Sequence, residues 1–150
     1  MRTLKIMVML AISAALVAGC SPATSSAPAA AVAGAETTPG GTIKATLTDM
    51  KVSVDHNSVS AGLVTFVVKN SGAILHELVV IQTDTAQDKM VMGTETVGKV
   101  DETGNVGETG DVAAGESKTF TVDLPAGHYV LMCNEVGHYD SGMHIAFTVN

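Results

Sequence analysis

Beyond residue 41, apolar and polar positions alternate with a period of two. The runs Ile43 to Thr48, Lys51 to Asp55, Leu63 to Lys69, His76 to Gln82, Ser117 to Leu124, His128 to Cys133 and His144 to Val149 are short and rich in β-branched residues, with Asn, Gly, Pro and Asp between them. Phe120, Val122 and Leu124 share one face of their run, and Ile145, Phe147 and Val149 share one face of the last. Strands with one face to bury predict an all-β fold, an antiparallel β-sandwich. Pro125-Ala126-Gly127 supplies a turn between two of them. The stretch from Thr83 to Glu116 breaks the rhythm with Gly, Thr and acids. Asp84 with Gln87 three residues later predicts a short capped helix through Met92, followed by loop. A loop this long in a compact domain is either a functional flap or a concealed strand pair.

The pattern before residue 42 is different. Arg2 and Lys5 precede an apolar run from Ile6 to Val17, too short for the roughly twenty residues of a membrane-spanning helix. Residues 1–19 therefore read as a signal peptide. Val17-Ala18-Gly19-Cys20 resembles a bacterial lipobox, in which Cys20 is lipidated and becomes the first mature residue; the alternative is an ordinary signal peptide cut elsewhere. Residues 20–41 carry Ser, Pro, Ala, Thr and Gly and one charge, Glu36, without periodicity. They predict a flexible tether with an r.m.s. reach of about 25 Å, leaving 42–150 as the folded domain.

Composition narrows the partners. The 150 residues hold 8 Lys+Arg against 15 Asp+Glu, and removal of the first nineteen takes away two basic residues and no acids, leaving a net charge of -9. An acidic chain without Trp makes a poor platform for nucleic acid. The expected setting is exported: a monomer in the periplasm or extracytoplasmic space, held through lipid at Cys20 to the cell membrane or the outer membrane. Its partners are expected to dock through a basic patch.

If Cys20 carries lipid, Cys133 is a lone thiol in a compartment that oxidises thiols. A buried inert cysteine is one explanation. The residues that follow argue for another: Cys133-x4-His138-x4-Met143 places thiolate, imidazole and thioether in one Gly-containing loop. These are ligands for copper, whereas magnesium and calcium take oxygens. His76, at the start of a strand, offers a second imidazole. Two His, one Cys and a weak axial Met is the ligand set of a blue copper electron-transfer centre.

Through Val67-Val68-Lys69-Asn70 to His76-Glu77-Leu78-Val79-Val80, Gly115-Glu116-Ser117-Lys118-Thr119-Phe120 to Leu124-Pro125-Ala126-Gly127-His128-Tyr129, and the Cys133 to Met143 loop, the chain resembles the cupredoxins of the sulfocyanin and rusticyanin type. The resemblance covers most of residues 60 to 150. It implies a Greek-key β-sandwich with copper near one end, and His76, Cys133, His138 and Met143 as ligands in the order in which the family pattern places them. Its implied partners are a cytochrome c, an oxidase or a reductase of the cell envelope. The family often has Asn or Ser after the first ligand, where this chain has Glu77, an acid that would lower the potential if it pointed inward; strand alternation points it away from His76. Asn134 is a candidate hydrogen-bond donor to the Cys133 sulfur, or a simple turn residue.

The other candidates are weaker. His144 adjoins Met143 but faces the opposite way on a strand, as His128 does relative to Cys133. His56 suits a solvated turn, Met90 and Met92 are more often core fillers than copper contacts, and Met132 packs opposite Cys133. With no His-x-His pair for further copper centres, the chain reads as a carrier rather than a catalyst. The alternatives are an envelope protein for copper storage or delivery, which uses the same ligands, and a Cys133/His138 nucleophilic enzyme, for which nothing supplies an oxyanion hole.

Overall fold

The computed structural model describes residues 39–150. The signal peptide, Cys20 and nearly all of the expected tether lie outside the described residues. The first strand begins at Pro39, three residues inside the segment assigned to the tether.

Among the described residues nine strands form two sheets. The first sheet has the order β2 (Lys51–Val54), β1 (Pro39–Thr48), β4 (Gly62–Asn70), β7 (Ser117–Leu124); the second has β3 (Ser58–Val59), β9 (His144–Val149), β8 (Gly127–Met132), β5 (Val79–Gln82), β6 (Asn105–Glu108). The alternation of β4 buries Val64, Phe66, Val68 and Asn70 and exposes Leu63, Val67 and Lys69. Ile43, Ala45 and Leu47 of β1 do the same beside it, with Ile43 opposite Phe66. Between the sheets Phe66 stacks on Phe120 at 5.1 Å and tilts against Phe147 of the opposite sheet at 5.9 Å. The sandwich expected from the sequence is thus present, with one correction to its pairing. β1 runs parallel to β4 and β3 parallel to β9. A period of two records which face is buried and carries no information on the direction of the neighbouring strand.

Two expected elements differ. The strand expected from His76 starts at Val79, and His76 instead makes an isolated antiparallel bridge to Val112. No helix forms between Asp84 and Met92 among the described residues. The Tyr139 hydroxyl donates to the carbonyl of Gln87 and accepts the N–H of Met90, taking up backbone groups that a helix there would need. Farther along, the same segment supplies β6, and Val100 covers the outer face of β5 and β8 together with Tyr139. Val79, Ile81, Val130 and Met132 are buried beneath that cover, on the opposite side of the sheet from the main core. Gly104 makes the return into β6 possible: its φ is +90°, and a Cβ there would lie 2.6 Å from the Gln82 carbonyl oxygen.

Candidate metal centre

The site is built where the chain leaves one sheet for the other. After β4, Asn70 folds the backbone back on itself: its side-chain amide donates to the carbonyls of Ile74 (2.7 Å) and Val112 (2.8 Å), and its oxygen accepts the N–H of Gly72 (2.8 Å). This turn delivers His76, which is fully buried and fixed to Val112 by two backbone hydrogen bonds of 3.2 and 2.7 Å. Cys133 follows directly on β8, equally buried.

The intervening loop is closed by its own ends. The N–H of Cys133 donates to the Met143 carbonyl (3.0 Å), and the N–H of Met143 donates to the His138 carbonyl (3.1 Å). Met143 is fully buried. From outside, the N–H of Gly137 donates to the Gly98 carbonyl (2.8 Å), so the irregular segment braces the loop.

Three donor atoms meet here. His76 Nδ1 and His138 Nδ1 are 3.2 Å apart, and Cys133 Sγ lies 3.3 Å from the second and 3.8 Å from the first. The point equidistant from all three is about 2.0 Å from each, the length of a bond from a first-row divalent metal to an imidazole nitrogen. The triangle therefore has the size of a trigonal metal site, and its chemistry, one sulfur and two imidazoles, suits copper. Among the described residues the same three form a group of potential ligands.

The protonation energetics pull in two directions at the sulfur and in one at the imidazole. Burial pushes the Cys133 thiol up, opposed by the backbone N–H groups of Glu77 and Glu135. The Glu77 N–H stands 3.4 Å from the sulfur and favours its thiolate. Loss of water holds His138 below its ordinary value, with the neighbouring His76 acting in the same direction, so its imidazole is kept neutral and available as a ligand.

One residue of the site was not legible beforehand. Asp49, in the turn between β1 and β2, places Oδ1 2.9 Å from His76 Nε2, the ring nitrogen turned away from the other donors. A carboxylate on the remote nitrogen fixes the tautomer that leaves Nδ1 free to bind metal. Both Asp49 oxygens also accept the N–H of Ala73, which with the His76 contact holds the carboxyl below its usual range. Gly72 leaves room for this pair: a Cβ there would collide with Asp49 Oδ1 and lie 3.0 Å from His76 Nε2.

Asn134 does something other than expected. Its amide donates to the Val100 carbonyl (3.1 Å) and to Glu102 (2.7 Å), and its oxygen accepts the Val100 N–H (2.7 Å). It anchors the covering segment rather than donating to sulfur. The sulfur's donors are the backbone N–H groups of Glu77 and Glu135. The Glu77 carboxylate stands apart from the His76, Cys133 and His138 group, close to Asp111 and Glu135, and burial raises its pKa to about 7 against the pull of Lys99. His144 tilts against Tyr139 at 4.7 Å and does not join the donor group. His56 is exposed beside Asp55, His128 is exposed, and Met132 packs in the outer cluster.

A two-sheet sandwich with a thiolate and two imidazoles converging at one end defines a cupredoxin, the class that holds a single copper ion. The sulfocyanin (SoxE) domain model matches residues 41–150. The chain belongs to that sulfocyanin family. Solved structures of similar fold include dithionite-reduced auracyanin from Roseiflexus castenholzii, at 21% identity and a TM-score of 0.56 over 74% of this chain and 97% of that one. Rusticyanin from Thiobacillus ferrooxidans aligns at 16% identity and 0.58 over 75% and 79%. Auracyanin A from Chloroflexus aurantiacus, described as a "blue" copper protein, aligns at 20% and 0.53 over 74% and 100%. No curated protein sequence matches the chain.

Proposed function

We propose that the protein is a one-electron carrier of the cell envelope, in which His76, Cys133, His138 and Met143 would hold copper. The triangle of donor atoms carries this reading: three potential ligands stand at metal-binding separation. Copper supplies a centre that changes oxidation state by one electron within such a ligand set. The protein's part is rigidity. Asp49 and Val112 hold His76, the Met143 carbonyl holds the Cys133 backbone, and the Glu77 N–H supports negative charge on sulfur. Ligands that need not move keep reorganisation small.

His138 is only partly buried, and exposed Val136, Ile74 and Leu75 surround the turns that carry the site. We assign the His138 edge as the port through which an electron enters and leaves. In this reading residues 1–19 direct export and lipid at Cys20 holds the domain close to a membrane, between partners such as a cytochrome c and an oxidase or reductase; the lipobox-like Val17-Ala18-Gly19-Cys20 supports it. The site favours transfer over nucleophilic turnover, because the Cys133 sulfur is fully buried and faces two imidazole nitrogens.

The test is an absorption and EPR spectrum of the purified protein with one equivalent of Cu(II), beside Cys133→Ala. An intense thiolate-to-copper band with narrow hyperfine splitting, absent from the variant, is expected. A pale spectrum insensitive to the variant refutes the carrier and favours copper storage or delivery.

A further inference from the structure

A second group of ligand atoms lies beside the first and plays no part in it. Oxygens of Glu77, Asp111 and Glu135 fall within 4.8 Å of one another. Each comes from a segment that builds the copper site: Glu77 follows His76, Asp111 precedes its bridge partner Val112, and Glu135 is two residues beyond Cys133. Asp111 is exposed, Glu135 is intermediate, and Glu77 is only 8% exposed. Oε1 of Glu77 is buried with no hydrogen-bond partner. A carboxylate oxygen left dry and unpaired among other acids is costly, and the arrangement calls for a cation. The nearest one is a poor match, since Lys99 Nζ reaches only Glu135, at 3.9 Å.

We propose that Glu77, Asp111 and Glu135 form a binding site for a calcium-type divalent cation. Three carboxylates offer up to six oxygens, and oxygens sharing one calcium ion lie up to about 5 Å apart, twice its bond length. Magnesium binds through one or two carboxylates and keeps its waters, so it suits the cluster less well. An ion here pins the Glu77 backbone, whose N–H faces the Cys133 sulfur at 3.4 Å. The site stands on its own oxygens, and calcium has no use for thiolate or imidazole, so its occupancy is read independently of the copper assignment.

Calorimetric titration of the copper-treated, chelator-washed protein with calcium chloride tests the site. Saturable binding of one equivalent is expected, in the range of about 0.1 to 1 mM typical of extracellular calcium modules. Glu77→Gln and the exposed Asp111→Asn should each weaken it at least about 10-fold, with the visible spectrum and circular dichroism of Asp111→Asn unchanged. Absence of saturable heat in the unaltered protein, or equal affinity in Asp111→Asn, overturns the proposal.

Discussion

Asp49 gives the most direct handle on the metal centre without touching a ligand. In Asp49→Asn the contact with His76 Nε2 loses its charge, and the ring is held less firmly in the orientation that presents Nδ1. Copper affinity, measured by competition with a chelator, should fall about 10- to 100-fold while the thiolate band persists in the loaded protein. Nothing in the local sequence marks this residue. Asp49 and His76 are 27 positions apart and meet only because the turn after β4 folds back past the turn after β1. Cys133, His138 and Met143 were legible for the opposite reason: covalent spacing keeps them together in any fold. The role expected of Asn134 failed because a buried amide is claimed by whichever partners reach it, here Val100 and Glu102, and those lie in the segment with least pattern.

At the level of strands, legibility followed exposure. β4, β7 and β9 have one wet and one dry face, and their alternation announced them. The runs Val79 to Ile81 and Tyr129 to Met132 are buried throughout, because the covering segment turns both sides of these strands into interior. Unbroken apolar runs of this kind were the available clue that the segment from Thr83 to Glu116 is packed rather than free. The core between the sheets depends on Phe66, which touches an aromatic ring on each side. Phe66→Ala should cost about 3 to 5 kcal/mol in urea-monitored unfolding. The edge strand β2 is more weakly tied. Asp55 accepts the Lys44 N–H at 2.9 Å, and this bond holds its carboxyl below the unfolded value of 3.8. Such a contribution is present above pH 3.8 and is lost as pH falls through the lower folded value. The protection of the Lys44 amide, the unstructured exchange rate divided by its own at the same pH, should therefore fall on acidification below that point, and in Asp55→Ala it should be low at neutral pH as well.

For the molecule as a whole, net charge sets the company it keeps. At -7 for the full sequence, it favours the approach of cationic molecules over anionic ones. Stopped-flow oxidation by a cationic ruthenium ammine should slow as salt is raised, and oxidation by ferricyanide should quicken, since screening removes attraction in one case and repulsion in the other.

The loop from Cys133 to Met143 is a single short piece of chain, but His76 enters the site from 57 residues before Cys133. An ion gripped by both is a clasp across the domain as well as a redox centre. Closing a loop of that length removes about 4 kcal/mol of chain entropy from the unfolded state, by the estimate used for covalent cross-links. Stripping the copper should then lower the unfolding midpoint and shorten survival under protease, with Cys133→Ala behaving like the stripped protein. Metal content then becomes a determinant of lifetime wherever the chain meets proteases: molecules that miss their copper are culled first, and the surviving population is enriched in those able to carry charge.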